Sequence, residues 1–389
     1  MAAAVSETIA LDARPSAAAP PPAPAPGCVA PSRSSRRNID ARDAAALERC
    51  ESLRTGEAKR SLRCGEPAER PLERARLLAS VPALEGRARA KLVEQGRMGR
   101  ARGLDPRSVG FVGDSITVSE DFLGPFSATK RRGRVELAPW VAASLELERG
   151  GGVVEWFRAH PVERVDGRSL DAFAAFRAAR VGARASWALP PEQSFETSPL
   201  GELVRRLRPA FVVLTYGAND AAYRPAPPEE LADEYGGHVG RIVDALEARG
   251  VIVLLSNEMR HLDQPGVKAC PRDDWSINDW RINVAQNATS HRAAEIACER
   301  ELPFIDLRHA LDEATNHGLG PDGVHLSAHR LGAGLLTDEG LDCGYNLRNF
   351  VTLLALRRVL DVLVEEGVVD AGTSRAPGAE PSRPQAPGG

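Results

Sequence analysis

A chain of 389 residues, 43% of them hydrophobic, can bury a full-sized core and still carry a second segment. A formal net charge of −3 supplies no overall attraction for nucleic acid or an anionic membrane, and no stretch reaches the ~18 apolar residues that a bilayer-spanning helix requires. Charge is nonetheless uneven: residues 1–107 hold 20 Lys/Arg against 13 Asp/Glu, intermixed and with no aromatic residue before Phe111, the pattern of a solvated face rather than of a single-strand binder with interleaved aromatics.

The N-terminal stretch Met1–Pro26 contains Glu7, Asp12 and Arg14 and no apolar run of signal-peptide length. Gly27-Cys28 follows a Pro/Ala tract but lacks the large apolar residues of a lipoprotein cleavage site. A cytoplasmic location is therefore the default, with export left open should the start codon be misassigned. Residues 1–37 are Ala/Pro/Ser-rich and have too little apolar surface to offset their ordering entropy, so they read as disordered, as does the Pro- and Gly-rich tail 371–389. Residues 38–107 form a charged, helix-prone appendage, either packed on the main domain or partly disordered. Leu77, Leu78, Leu84, Leu92 and Val93 are among its apolar positions.

From Ser108 the texture changes, and a main domain is expected over 108–370. Val109–Val112, Phe211–Tyr216, Val251–Leu255 and Pro303–Asp306 are short apolar runs suited to strands buried on both faces. Longer helical patterns alternate with them: Pro228–Arg249, with a Pro-Glu-Glu start and a Gly stop, then Ile282–Arg300 and Asn346–Glu366. Strand–helix alternation predicts right-handed βαβ units, a parallel sheet with helices on both faces, and a ligand site at the carboxyl ends of the strands. Two candidate strands run there into polar loops, Gly113-Asp-Ser115 and Gly217-Ala-Asn-Asp220.

Three signals carry chemistry. Ser115 follows a strand and a glycine that allows a sharp turn, and a serine hydroxyl becomes a nucleophile once a base accepts its proton. Thr117 stands where the G-x-S-x-G elbow would need a second glycine, so that motif is excluded. Asp322-Gly-Val-His325 spaces a carboxylate and an imidazole so that one loop can carry both, leaving one ring nitrogen free as base. Asn219 offers a side-chain amide to an oxyanion. Each signal alone is better explained as a turn or a helix cap, and the three together are far more specific. None of the other seven histidines, His317 and His329 included, receives a comparable acidic partner from the sequence.

Together the order Gly-Asp-Ser, Gly-x-Asn-Asp and Asp-x-x-His resembles the SGNH (GDSL-like) hydrolase family, over roughly Val109–Leu363. The resemblance implies a three-layer α/β/α sandwich with a short parallel sheet, flavodoxin-like in arrangement. It also implies a catalytic set of Ser115 as nucleophile, His325 as base and Asp322 as its orienting carboxylate. The implied oxyanion hole consists of the Ser115 amide, the Asn219 side chain and a glycine amide. For that glycine the best candidate is Gly182 in Arg180-Val-Gly-Ala-Arg-Ala-Ser186, and Gly167 is the runner-up. Ile116 replaces the usual Leu after Gly-Asp-Ser, an apolar exchange.

The expected activity is hydrolysis of a small-molecule or carbohydrate ester, short-chain or O-acyl, through an acyl-enzyme. The alternatives are an acyltransferase of the same fold and a catalytically silent binding module. No cofactor, metal, nucleic acid or integral membrane segment is implied; oligomeric state and disulfides are left open. The six cysteines fit no zinc pattern, and His238, His261 and Asp263 do not have metal-site spacing. Trp187, Trp275 and Trp280 suit either a substrate cleft or packing.

Overall fold

The computed structural model describes residues 64, 72–129, 133–224, 226–260, 279–320 and 322–370. Segments 1–37 and 371–389, together with His261, Asp263 and Trp275, lie outside the described residues. In chain order, helices α1 (Arg74–Ala79) and α2 (Gly86–Ala101) precede strand β1 (Asp105–Gly113) and the short helix α3 (Ser115–Val118). Next come β2 (Glu136–Leu137), α4 (Pro139–Leu145), α5 (Val153–Arg158), the hairpin strands β3 (Pro161–Val165) and β4 (Arg168–Asp171), β5 (Ala178–Ala179), α6 (Ala185–Ala188) and α7 (Pro199–Leu207). The second half runs β6 (Pro209–Thr215), α8 (Ala218–Ala222), α9 (Pro228–Glu247), β7 (Ile252–Ser256), α10 (Asp279–Glu299), β8 (Phe304–Ile305), α11 (Leu307–Leu311), β9 (Leu335–Leu336) and α12 (Gly344–Glu365).

Five strands form the central sheet in the order β5-β1-β6-β7-β8, and every neighbouring pair is parallel. Because successive strand residues point to opposite faces, each strand feeds two cores. Phe111, Phe211, Val213, Ile252 and Leu254 join one core with Leu92, Val93, Val141, Phe157 and the apolar length of α12. Val112, Val212, Leu214, Val253 and Leu255 join the other with Leu203 of α7, Val239 and Ile242 of α9, and Ile296 of α10. The chain is thus a three-layer α/β/α sandwich, as the strand–helix alternation predicts. Helix α2, from the charged N-terminal stretch, contributes Leu92 and Val93 to the first core.

All four strands expected from the apolar runs are present. β1 begins earlier than its apolar run, at Asp105, because an irregularity between Asp105 and Val109 still lets Asp105 pair with Pro209. The edge strand β5 has only two residues, too few to register as a periodic pattern.

Cys64 is joined by a disulfide to Cys343, the residue preceding α12, with a Cα–Cα distance of 5.1 Å. Cys298 is also disulfide-bonded. The Cys64–Cys343 link closes a loop of 279 residues. Cross-linking so long a loop restricts the unfolded chain, and removing such a bond costs about 2–4 kcal/mol. Cys64→Ser, which avoids disturbing the buried Cys343, is therefore expected to lower unfolding free energy by that amount in a denaturant titration. An unchanged midpoint and slope would show that the link constrains nothing.

Candidate active site

Strand β1 delivers the chain to Gly113, where a Cβ would lie 2.7 Å from the Thr215 carbonyl oxygen, so only glycine lets β1 and β6 run this close at their ends. Asp114 then caps α3, its Oδ1 accepting from the Ile116 amide at 3.2 Å. Ser115 opens that helix and is half-buried, within reach of solvent.

The stretch after Ser115 is held from beneath by two buried arginines. Arg348, on α12, donates to the Ile116 carbonyl at 2.6 Å and to Thr117 Oγ1 at 3.0 Å. Arg177, just before β5, donates to the carbonyls of Thr117 (2.6 Å), Ser119 (3.2 Å), Phe122 (2.8 Å) and Phe173 (3.0 Å). Both guanidiniums lie over the Phe122 ring. Burial lowers the pKa of each, that of Arg177 to about 10, so Arg177 stays cationic at neutral pH and keeps its donors. Nothing in the spacing of the motifs pointed to this pair. For Arg348 the available signal is a run of polar residues, Asn346, Arg348 and Asn349, at the start of an otherwise apolar helix.

Strand β6 is followed by Tyr216 and Gly217, the latter at φ +143°, a turn that favours glycine and starts α8. Asn219 Nδ2 donates to Asp114 Oδ2 at 2.8 Å. A primary amide has two N–H donors, so this bond fixes the amide plane and leaves the second donor unspent by Asp114. The next residue, Asp220, is buried and accepts from the Ala185 amide with both oxygens, at 3.1 and 3.2 Å. It thereby ties the β6 loop to the segment that follows β5.

Gly182 lies in that segment. Ala178 and Ala179 pair with Val112 and Gly113, and the Arg180 amide donates to the Gly113 carbonyl at 3.2 Å. Gly182 follows two residues later in an exposed turn at φ +72°. The runner-up, Gly167, occupies the turn of the β3–β4 hairpin, a separate two-stranded ribbon outside the central sheet.

Asp322 and His325 share one tight loop. Asp322 Oδ1 accepts from the amides of Val324 (3.0 Å) and His325 (2.9 Å), and Oδ2 lies 2.7 Å from His325 Nδ1. The pair is half-exposed, at 49% for each side chain. The hydrogen bonds from His325 and Val324 hold Asp322 below the usual carboxylate range against some desolvation, so it is ionised at neutral pH. The charge of His325 also acts on the buried Asp114 carboxyl, lowering its pKa, behind burial and the Arg348 charge.

The expectation that no other histidine has a comparable acidic partner is corrected. His317 Nδ1 lies 2.9 Å from Asp312 Oδ1, and His329 Nε2 lies 3.2 Å from Glu339 Oε1. Asp312 is shared with Arg260 at 3.0 and 3.2 Å, so that pair belongs to an ion cluster. Asp306-Leu-Arg-His309 repeats the three-residue spacing, yet Asp306 caps α11 by accepting from the His309 amide at 3.1 Å.

A buried acidic group lies behind the loops. Burial raises Asp114 to about 6, opposed by the Arg348 charge and its hydrogen bonds. Burial also raises Asp220 to about 7 and pushes Glu258, at the end of β7, well above the ordinary range. Among the described residues no cluster of three or more His, Cys, Asp or Glu could hold a metal ion. No helix among them is long and apolar enough to cross a membrane.

The sequence model of the GDSL-like Lipase/Acylhydrolase family matches residues 111–329, more than half of the chain and a span that includes Ser115, Gly182, Asn219, Asp322 and His325. No curated protein matches. Among solved structures, a lipase/acylhydrolase from Enterococcus faecalis is 16% identical, covering 64% of this chain and 95% of its own with a TM-score of 0.33. A GDSL-like lipase from Bacteroides thetaiotaomicron is 16% identical, with 71% and 98% covered and a TM-score of 0.35. A catalytic mutant of an acetylxylan esterase from Geobacillus stearothermophilus is 15% identical, with 64% and 93% covered and a TM-score of 0.37.

The raised pKa of Asp220 has a consequence for stability. A carboxyl whose folded pKa lies above its unfolded value favours the fold while protonated. Its contribution is full below about pH 4 and is lost as pH rises through about 7. Asp220→Asn keeps an oxygen to accept from Ala185 and removes the titration. The variant is therefore expected to gain melting temperature relative to wild type on going from pH 5 to pH 8, by an amount on the order of a few degrees. A wild-type-minus-variant difference that is flat across this range in thermal melts would refute the assignment.

Proposed function

The chain belongs to the GDSL-like lipase/acylhydrolase family, and we propose that within it the protein is a serine esterase that acts through an acyl-enzyme on Ser115. The reading is carried by the 2.7 Å His325–Asp322 contact, and it is supported by the action of the His325 charge on Asp114, the residue next to Ser115. Asp322 accepts the Nδ1 proton of His325 and so leaves Nε2 as the base.

Ser115 Oγ attacks the ester carbonyl carbon as its proton passes to His325 Nε2, and the carbonyl electron pair moves onto oxygen. The tetrahedral oxyanion is met by the Ser115 and Gly182 amides and the Asn219 side chain. Neither backbone amide donates to another acceptor among the described residues. Collapse expels the alcohol, protonated by His325. Water then attacks the acyl-enzyme in the same way, with His325 again taking and returning the proton, and releases the acid. The set needs no metal. The substrate favoured by the proposal is a short-chain or carbohydrate O-acyl ester.

A fluorophosphonate probe should label a single peptide containing Ser115, and Ser115→Ala should abolish both labelling and hydrolysis of 4-nitrophenyl acetate. Labelling that persists in that variant would overturn the nucleophile. Asn219→Ala removes a donor that matters more in the transition state than in the ground state, so kcat should fall by roughly 10²–10³ with little change in KM. Near-wild-type kcat in a folded Asn219→Ala protein would reduce Asn219 to a turn residue.

A further inference from the structure

Near the site, Arg180 is a cation that no described residue neutralises. Arg184 is paired with Glu234, and Arg224 with Glu230 and Glu234; both guanidiniums lie against the Tyr223 ring. Arg180 is different. Its guanidinium makes no ion pair and no hydrogen bond to any described residue. It is stacked instead over the half-buried Trp187 ring, 5.1 Å from the centroid. Stacking on a ring orients the guanidinium plane without using its N–H donors.

The position of Arg180 makes this more than an ordinary surface charge. Its own amide hydrogen-bonds to the Gly113 carbonyl, two residues from Ser115, and Gly182 is two residues further on. Its charge also reaches Tyr216, the residue that leads into the Gly217–Asn219 turn. Arg180 therefore belongs to a segment hydrogen-bonded to the end of the strand that leads to Ser115, two residues before Gly182, and its charge bears on the residue that leads into the Asn219 turn. The same segments carry three of the five exposed large hydrophobic residues among those described: Val118, three residues past Ser115, Val181, which adjoins Gly182, and Tyr223, four residues past Asn219.

We propose that Arg180 selects esters carrying a carboxylate close to the scissile bond, the apolar part of the substrate resting against Val118, Val181 and Tyr223. The proposal rests on the serine-esterase reading above and narrows its substrate class. A carboxylate matches a single guanidinium in charge and in its two-donor geometry, whereas a phosphate dianion is normally gripped by several donors. Arg180 is a specificity residue here: it touches the substrate's anionic group and none of the reacting atoms.

The test uses matched pairs of esters. 4-Nitrophenyl butyrate against 4-nitrophenyl hemiglutarate places the carboxylate on the acyl side. Phenyl acetate against 3-acetoxybenzoate places it on the alcohol side. Rates of kcat/KM are divided by the hydroxide rate of each ester to remove intrinsic reactivity. Wild-type enzyme should prefer the anionic member of at least one pair by about tenfold, the scale of one charge-assisted hydrogen-bonded contact. Arg180→Gln should erase that preference, Arg180→Lys should keep part of it, and added salt should weaken it. No preference in either pair, or a preference that Arg180→Gln leaves intact, overturns the proposal. If none of the four esters is hydrolysed, the esterase reading itself fails. Calorimetric binding of 3-acetoxybenzoate to Ser115→Ala still decides the role of Arg180. Binding that is lost in Ser115→Ala/Arg180→Gln supports it, and no binding, or equal binding in both, rejects it.

Discussion

The first turns of α12 fix both halves of the site. The helix is apolar for most of its length, but it opens with Asn346, Arg348 and Asn349, all buried. Arg348 holds the carbonyl of Ile116, next to Ser115. Asn349 accepts from the Leu123 amide at 2.9 Å and donates to the Asp121 carbonyl at 2.9 Å. Asn346 accepts from the His329 amide at 3.1 Å and donates to the carbonyls of Gly332 and Leu335. The amides of Gly344 and Tyr345 donate to Ser327, two residues past His325. Ser115 and His325 lie on segments about two hundred residues apart, and one helix end bonds to both segments. A buried polar group left without its partner costs about 1–3 kcal/mol. The bonds therefore act together: a shift of α12 large enough to misplace one arm would orphan several groups at once.

Beneath that frame lies a second constraint, the placing of carboxylates in low dielectric. Asp114 would be an unfavourable neighbour for an oxyanion if it were simply ionised and unpaired. The fold instead spends its Oδ1 on the Ile116 amide and its Oδ2 on Asn219, and Arg348 supplies the compensating positive charge. The contact that makes Asp114 tolerable is thus the same one that orients the Asn219 amide. Asp220 performs a related task one residue later, linking the β6 loop to the segment after β5 through Ala185.

Much of this was legible in the sequence, for identifiable reasons. Strands buried on both faces have to be continuously apolar, so Phe211–Tyr216 and Val251–Leu255 stand out. Helices α9, α10 and α12 are long enough for start and stop signals to bracket them. What escaped detection is carried by single contacts. β5 has two residues and is defined by its pairing with β1, not by its own pattern. Asp166-Gly167 is a hairpin turn of a familiar kind, and recognising it would have removed Gly167 from the oxyanion candidates. Arg177 and Arg348 look like surface residues until burial and their carbonyl partners are known. The His317–Asp312 and His329–Glu339 contacts depend on loop paths that sequence spacing does not encode.

The sheet order explains why these particular loops meet. β1 is flanked by β5 on one side and β6 on the other. The chain therefore leaves β1, returns on one side, and then crosses to the opposite side before building outward through β7 and β8. Right-handed crossovers place the two connections on opposite faces of the sheet, as the two separate cores require. At such a reversal no helix covers the carboxyl ends of the central strands, and a crevice opens there. The three loops that border it are those after β1, β5 and β6, which carry Ser115, Gly182 and Asn219. His325 has no strand to place it, and its loop depends on α12 instead. This division accounts for the differing character of the two parts: the strand-end loops are set by backbone topology, whereas the His325 loop is set by hydrogen bonds from the start of α12 to Ser327 and His329.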